Sequence, residues 1–176
     1  MFELISEAEQ FEWFRAAYRH VTGEWLSRVR KSERPDYICR RADGSLVGIE
    51  FTLITRNPEA SQWGQILDGK EYMDGLEGVL TVGHAIMRKG KKRAEPDWHL
   101  PDSSILVLST ADCPISEMDL QLDQGLQPEF EESGFTEIWI ADHTEGEAYP
   151  SIELFGLVPK KWWGCHARPW TGKPYG

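Results

Sequence analysis

The sequence predicts an α/β domain built on one mixed sheet with helices on both faces. Three observations predict it. An aromatic stripe at helical spacing opens the chain. Two short strand-like runs follow, each bearing an acid. A long helical region then alternates with further apolar runs of strand length.

The elements follow in order. Residues 6–30 read as one amphipathic helix, because Phe11, Phe14, Tyr18, Val21, Trp25 and Val29 recur three or four residues apart. Ser6 and Glu9 form a capping-box pattern at its start, and Gly23 is its weak point. Residues 36–41 and 46–53 read as a hairpin around Ala42-Asp43-Gly44-Ser45. Residues 58–93 read as helical in two pieces, with Pro58 at the start and Gly69, Gly75, Gly78 and Gly83 as weak points. Residues 104–109 form a continuous apolar run, as a central buried strand requires. Residues 115–133 read as a helix and its flank, interrupted at Gly125 and Pro128. Residues 136–141 and 152–158 read as strands. Residues 160–176 are aromatic and basic, and little regular structure is expected there.

A length of 176 residues suits one domain with a real core. No run approaches a membrane span, and the acidic start lacks the order of a signal peptide. Three widely spaced cysteines, Cys39, Cys113 and Cys165, argue for a reducing cytoplasm rather than a disulfide scaffold. The net charge of −10 argues at face value against nucleic acid. Its distribution does not: residues 112–147 hold eleven acids and no Lys or Arg, whereas residues 28–41 carry six bases and two acids. Residues 88–93 are Arg-Lys-Gly-Lys-Lys-Arg. A polar molecule with one basic face fits this pattern, and so does a surface that folding mixes.

The chemistry concentrates in the hairpin. Pro35-Asp36 opens its first strand and Gly48-Ile49-Glu50-Phe51-Thr52 lies late in its second. Two carboxylates brought to one point hold Mg²⁺ or Mn²⁺ well. Such an ion activates water and relieves charge in phosphodiester hydrolysis. Asp36 and Glu50 are the candidate ligands, joined by the Phe51 carbonyl. Glu50 alternates with Ile49 and Phe51, so it should face away from their packed side.

These residues resemble the Pro-Asp … Glu-x-Lys signature of the PD-(D/E)XK nuclease superfamily, over roughly residues 6–110. The resemblance implies a restriction-endonuclease-like three-layer core and a metal-dependent endonuclease acting on DNA or RNA. It implies Asp36 and Glu50 as catalytic metal ligands. Thr52 stands where the signature has its water-positioning lysine. Some members supply that lysine from a neighbouring helix; Lys70 and Lys89 are the candidates, with Lys91 and Lys92 behind them. The first helix often adds an acid, for which Glu24 leads and Glu9 and Glu12 follow. The family often has three strands before the long helix, where two are read here. A nuclease of this kind acting on duplex DNA often works as two copies.

Thr52 equally motivates a catalytically inactive module on the same fold, binding nucleic acid through its bases or a protein through the acidic 112–147 region. Arg88, Lys89, Lys91, Lys92 and Arg93 are the candidate phosphate contacts, with Gly90 allowing close approach. A helix C-terminus favouring Lys and Arg would look the same. The tail interleaves bases and Trp, as a stacking platform or as anchors strapped over the core. Cys165-His166 lacks zinc-site spacing. His99 near Asp97 and Asp102, and His143 after Asp142, could each form an acid–base pair, but a loop histidine beside an aspartate reads more simply as solvated. A third reading is a small-molecule enzyme with a Trp-lined apolar pocket away from Asp36.

Overall fold

The computed structural model describes residues 6–54, 74–98, 101, 103–144 and 152–166. Ser6 starts the first helix as its pattern predicts. Its hydroxyl accepts the Glu9 N–H at 3.2 Å, and its own N–H donates to the Glu9 carboxylate at 2.8 Å. This helix, α1 (Glu7–Thr22), ends well before residue 30. Gly23 adopts φ 77° and sends its N–H back to the Arg19 carbonyl. Glycine reaches that conformation without a Cβ penalty, so the helix closes there. The residues expected to continue it form a strand instead, β1 (Ser27–Lys31). Val29 thus leaves the helical stripe and is exposed.

Strands β2 (Tyr37–Arg40), β3 (Leu46–Ile54), β4 (Ser103–Thr110), β5 (Glu137–Asp142), β6 (Glu153–Val158) and β7 (Gly164–His166) complete a seven-stranded sheet in chain order. The β1–β2 and β2–β3 pairs are antiparallel, as are β5–β6 and β6–β7. The central β3–β4 and β4–β5 pairs are parallel. Parallel neighbours need crossovers. Helix α2 (Gly75–Arg93) lies in the first. The second holds α3 (Ile115–Met118), a 3₁₀ turn at Gln124–Leu126, and α4 (Gln127–Glu131). The expected helix over 115–133 is therefore broken, and Pro128 sits in the first turn of α4, where its missing N–H costs nothing. Of the helix expected over 58–93, the part before Asp74 lies outside the described residues. All five residues of β1 are exposed, and Arg28, Arg30 and Lys31 charge this sheet edge.

Side-chain alternation divides the core between two faces. Ile105 and Val107 of β4 and Trp139 and Ala141 of β5 meet Phe11, Phe14 and Tyr18 of α1. Leu106 and Leu108, with Ile138 and Ile140, meet Val82, Ala85 and Ile86 of α2 and Met118 and Phe130 beyond it. The result is an α/β/α sandwich over a mixed sheet. The start of the tail is more regular than expected: a 3₁₀ turn spans Lys160–Trp162, and β7 pairs Phe155 with Cys165. Gly156 permits this, because a Cβ there would lie 2.0 Å from the Trp162 carbonyl. Trp162 packs on Trp139 and Trp163 on Phe155, so both rings serve as anchors to the core. No described helix is long and apolar enough to cross a membrane.

Candidate active site

The hairpin closes through a local network. Asp43 accepts the Ser45 N–H and hydroxyl at 2.9 and 2.6 Å, and Gly44 takes φ 88°. Pairing of β2 with β3 ends at Tyr37 opposite Ile49. One residue earlier stands Asp36. Its Oδ2 accepts the Phe51 N–H at 2.8 Å, so a side chain takes over where the backbone ladder stops. Gly48 holds this entry in place: a Cβ there would lie 2.6 Å from Pro35 Cγ. Pro35 thus rests on bare backbone, and Asp36 follows it directly.

Glu50 faces away from Ile49, as the alternation predicts, and lies on the α2 side of β3. It is 7% exposed. Lys89, from the last two turns of α2, donates to its Oε1 at 2.9 Å. Oε2 is buried with no hydrogen-bond partner among the described residues. A buried carboxylate oxygen without a donor is costly and asks for a cation or a donor beyond the described residues. In an extended strand, a residue's N–H and C=O leave on the same side. The Phe51 carbonyl therefore leaves on the side where its N–H meets Asp36.

Burial raises the Asp36 pKa from its ordinary 3.8 to about 6. The Phe51 N–H opposes that rise, the Glu50 and Glu7 charges add to it, and Lys89 opposes it. These couplings place Asp36, Glu50, Lys89 and Glu7 in one electrostatic neighbourhood. Glu7, which Lys31 approaches at 3.9 Å, is the acid of α1 on this side. The sequence reading missed it. Glu24 instead pairs with Arg41 at 2.6 Å, Glu9 closes the capping box, and Glu12 pairs with Arg15. A first-turn acid carries no mark of which strand it will approach, so no sequence signal singled out Glu7.

The donor set suits a hard cation. Two carboxylates, one with an unpartnered oxygen, and a backbone carbonyl are ligands of the kind Mg²⁺ and Mn²⁺ take. No group of three or more His, Cys, Asp or Glu that could hold a metal occurs among the described residues.

The basic run at the end of α2 does not stay together. Lys89 turns inward to Glu50, whereas Arg88 is exposed and reaches the Thr52 hydroxyl at 3.5 Å. Arg93 turns to the Ser104 hydroxyl at 3.0 Å and over the Phe135 ring. Lys91 and Lys92 are exposed. Five bases in six helical positions must point around the helix, so they form no single phosphate-facing row. The close approach at Gly90 is to Ser133 of this chain, with an added Cβ 3.0 Å from its Cα. Lys70 lies outside the described residues, as do His99 and Asp102.

His143 is the other departure. It is buried, stacks on Trp13, and burial lowers its pKa to about 3. Asp142 caps the Ile115 N–H and holds Thr144 rather than serving the histidine. Cys39 and Cys113 are buried in the core, while Cys165 is exposed.

A second polar cluster lies on the α1 face. Arg41 joins Glu24 and Glu137, and Tyr18 donates to Glu137 at 2.9 Å. These residues with Lys161 and Trp162 line a cavity of about 360 Å³. Its lining is charged, so it is not the apolar Trp-lined pocket that a small-molecule enzyme was expected to have. Comparison with protein-family models, with curated proteins and with solved structures found no match.

Proposed function

We propose that this chain is a Mg²⁺- or Mn²⁺-dependent nuclease that hydrolyses phosphodiester bonds of DNA or RNA, of the PD-(D/E)XK type its hairpin resembles. One observation carries the reading. Asp36 stands just before β2, Glu50 on β3 and Lys89 on α2, and Lys89 touches a carboxylate whose second oxygen is buried with no hydrogen-bond partner among the described residues. A helix-borne lysine at Glu50 takes the place that Thr52 leaves vacant in the signature. The strand count also supports it, since β1 supplies a third strand before α2.

A bound divalent ion would supply a polarised water and relief of charge on the phosphate. Asp36 and Glu50 would hold that ion, with the Phe51 carbonyl beside them. Lys89 Nζ, fixed by Glu50, would orient the attacking water and hydrogen-bond to it. Asp36 must lose its proton first, and with a pKa of about 6 it does so near neutrality.

The test is cleavage of supercoiled plasmid, single-stranded DNA and RNA with Mn²⁺, then with EDTA, beside Asp36→Asn and Lys89→Met. Cleavage that needs the ion and is lost in both variants supports the reading. A folded wild-type protein that cleaves none of these substrates refutes it. The second reading, an inactive module binding nucleic acid or a protein, would then stand on Thr52 in the lysine position.

A further inference from the structure

Helix α2 carries an apolar stripe on its solvent side. Leu76, Leu80 and Met87 are 57%, 56% and 62% exposed. They lie four and seven residues apart, so they fall in one line on the helix. The helix also holds four glycines, and three of them are explained by the fold. A Cβ at Gly75 would meet the Glu117 carbonyl, at Gly78 the Cys113 sulfur, and at Gly90 Ser133. Gly83 has nothing within 4 Å. A glycine inside a helix costs about 1 kcal/mol relative to alanine, and no contact among the described residues requires that one. It borders the stripe, midway between Leu80 and Met87.

The charges on the helix are asymmetric. Asp74 and Glu77 lie in its first half, and Arg88, Lys91 and Lys92 in its second. A helix with an acidic start, a basic end and an apolar line between them is complementary to itself reversed. We infer that α2 docks antiparallel on α2 of a second copy, about a two-fold axis between Gly83 and His84. That axis sets Leu80 of each copy against Met87 of the other. It brings Glu77 within one residue of the other copy's Lys91. Gly83 at the axis lets the two backbones approach closely. Such a contact is isologous, so it closes as a dimer rather than growing. It does not rest on the nuclease reading, because Lys89 and the hairpin lie on the opposite side of α2.

Sedimentation equilibrium on the full chain tests this. The wild type should show twice the 20.2 kDa of one chain. Leu80→Glu with Met87→Glu should give a monomer with an unchanged helical circular dichroism spectrum. Glu77→Lys and Lys91→Glu should each weaken the dimer at least tenfold, and the double exchange should restore it. A wild-type monomer at about 100 μM overturns the inference. A dimer that survives the Leu80/Met87 double variant also overturns it.

Discussion

Replacing Asp36 by Asn should destroy cleavage and stabilise the fold above pH 7. The two side chains are nearly isosteric, and the amide oxygen can still accept the Phe51 N–H. The amide carries no charge, so it escapes both burial and the repulsion from Glu50 and Glu7. The sign follows from proton linkage. A carboxyl whose pKa rises on folding binds its proton more tightly in the native state. The wild type therefore gains stability below the unfolded value of 3.8 and loses it as pH rises to about 6. The shift of about two units corresponds to about 3 kcal/mol at 1.36 kcal/mol per unit. Asp36 is partly open to water, and screening reduces this to about 1–2 kcal/mol. In a domain of this size that is about 3–6 °C. Thermal unfolding at pH 8 and pH 4, without divalent ions, measures it. Asp36→Asn should melt higher at pH 8, and the gap should close at pH 4. An equal or lower melting temperature at pH 8 would refute the buried, repelled carboxylate.

Other perturbations follow from the same contacts. Lys89→Met should destabilise by about 3–5 kcal/mol in urea unfolding, because it leaves Glu50 charged and buried, and adding Glu50→Gln should recover part of the loss. Gly48→Ala should cost about 1–3 kcal/mol and depress cleavage together, since the new Cβ displaces the proline that sets Asp36; unchanged urea midpoints and unchanged cleavage would contradict it. Arg41→Met should cost about 3–5 kcal/mol by stranding Glu137, with cleavage by the remaining folded protein unaffected. Mn²⁺ binding, followed by calorimetry, should weaken about tenfold per pH unit below pH 6 as Asp36 takes up its proton, and should become flat with pH in Asp36→Asn.

Much of the fold was legible where one physical signal dominated. The buried run of β4 and the alternation in β3 read directly as strands, because burial on one or both faces leaves few polar choices. The capping box marked the start of α1 to the residue. Its end was less legible: Trp25 and Val29 kept a helical spacing that Gly23 had already interrupted. In the fold Trp25 lies under Arg15 and Arg19, and Val29 sits on an edge strand. Spacing alone cannot distinguish an apolar residue that is buried from one that is merely adjacent.

For the proposed site, the sequence singled out the candidates: Asp36 after Pro35, Glu50 opposite two apolar neighbours, and a lysine-rich helix end. It also determined the mixed α/β layering, because hydrophobic period is a local property of the chain. Tertiary structure decided which lysine meets Glu50, which acid of α1 lies toward Asp36, and that the basic run points several ways. It decided that His143 is buried and neutral. Those outcomes depend on how α1 and α2 rotate on the two faces of the sheet. That rotation is set by packing among residues far apart in the chain, such as Gly78 against Met118 and Gly90 against Ser133. A local pattern specifies which face of a helix is apolar, but only the packed core fixes where its other side chains end.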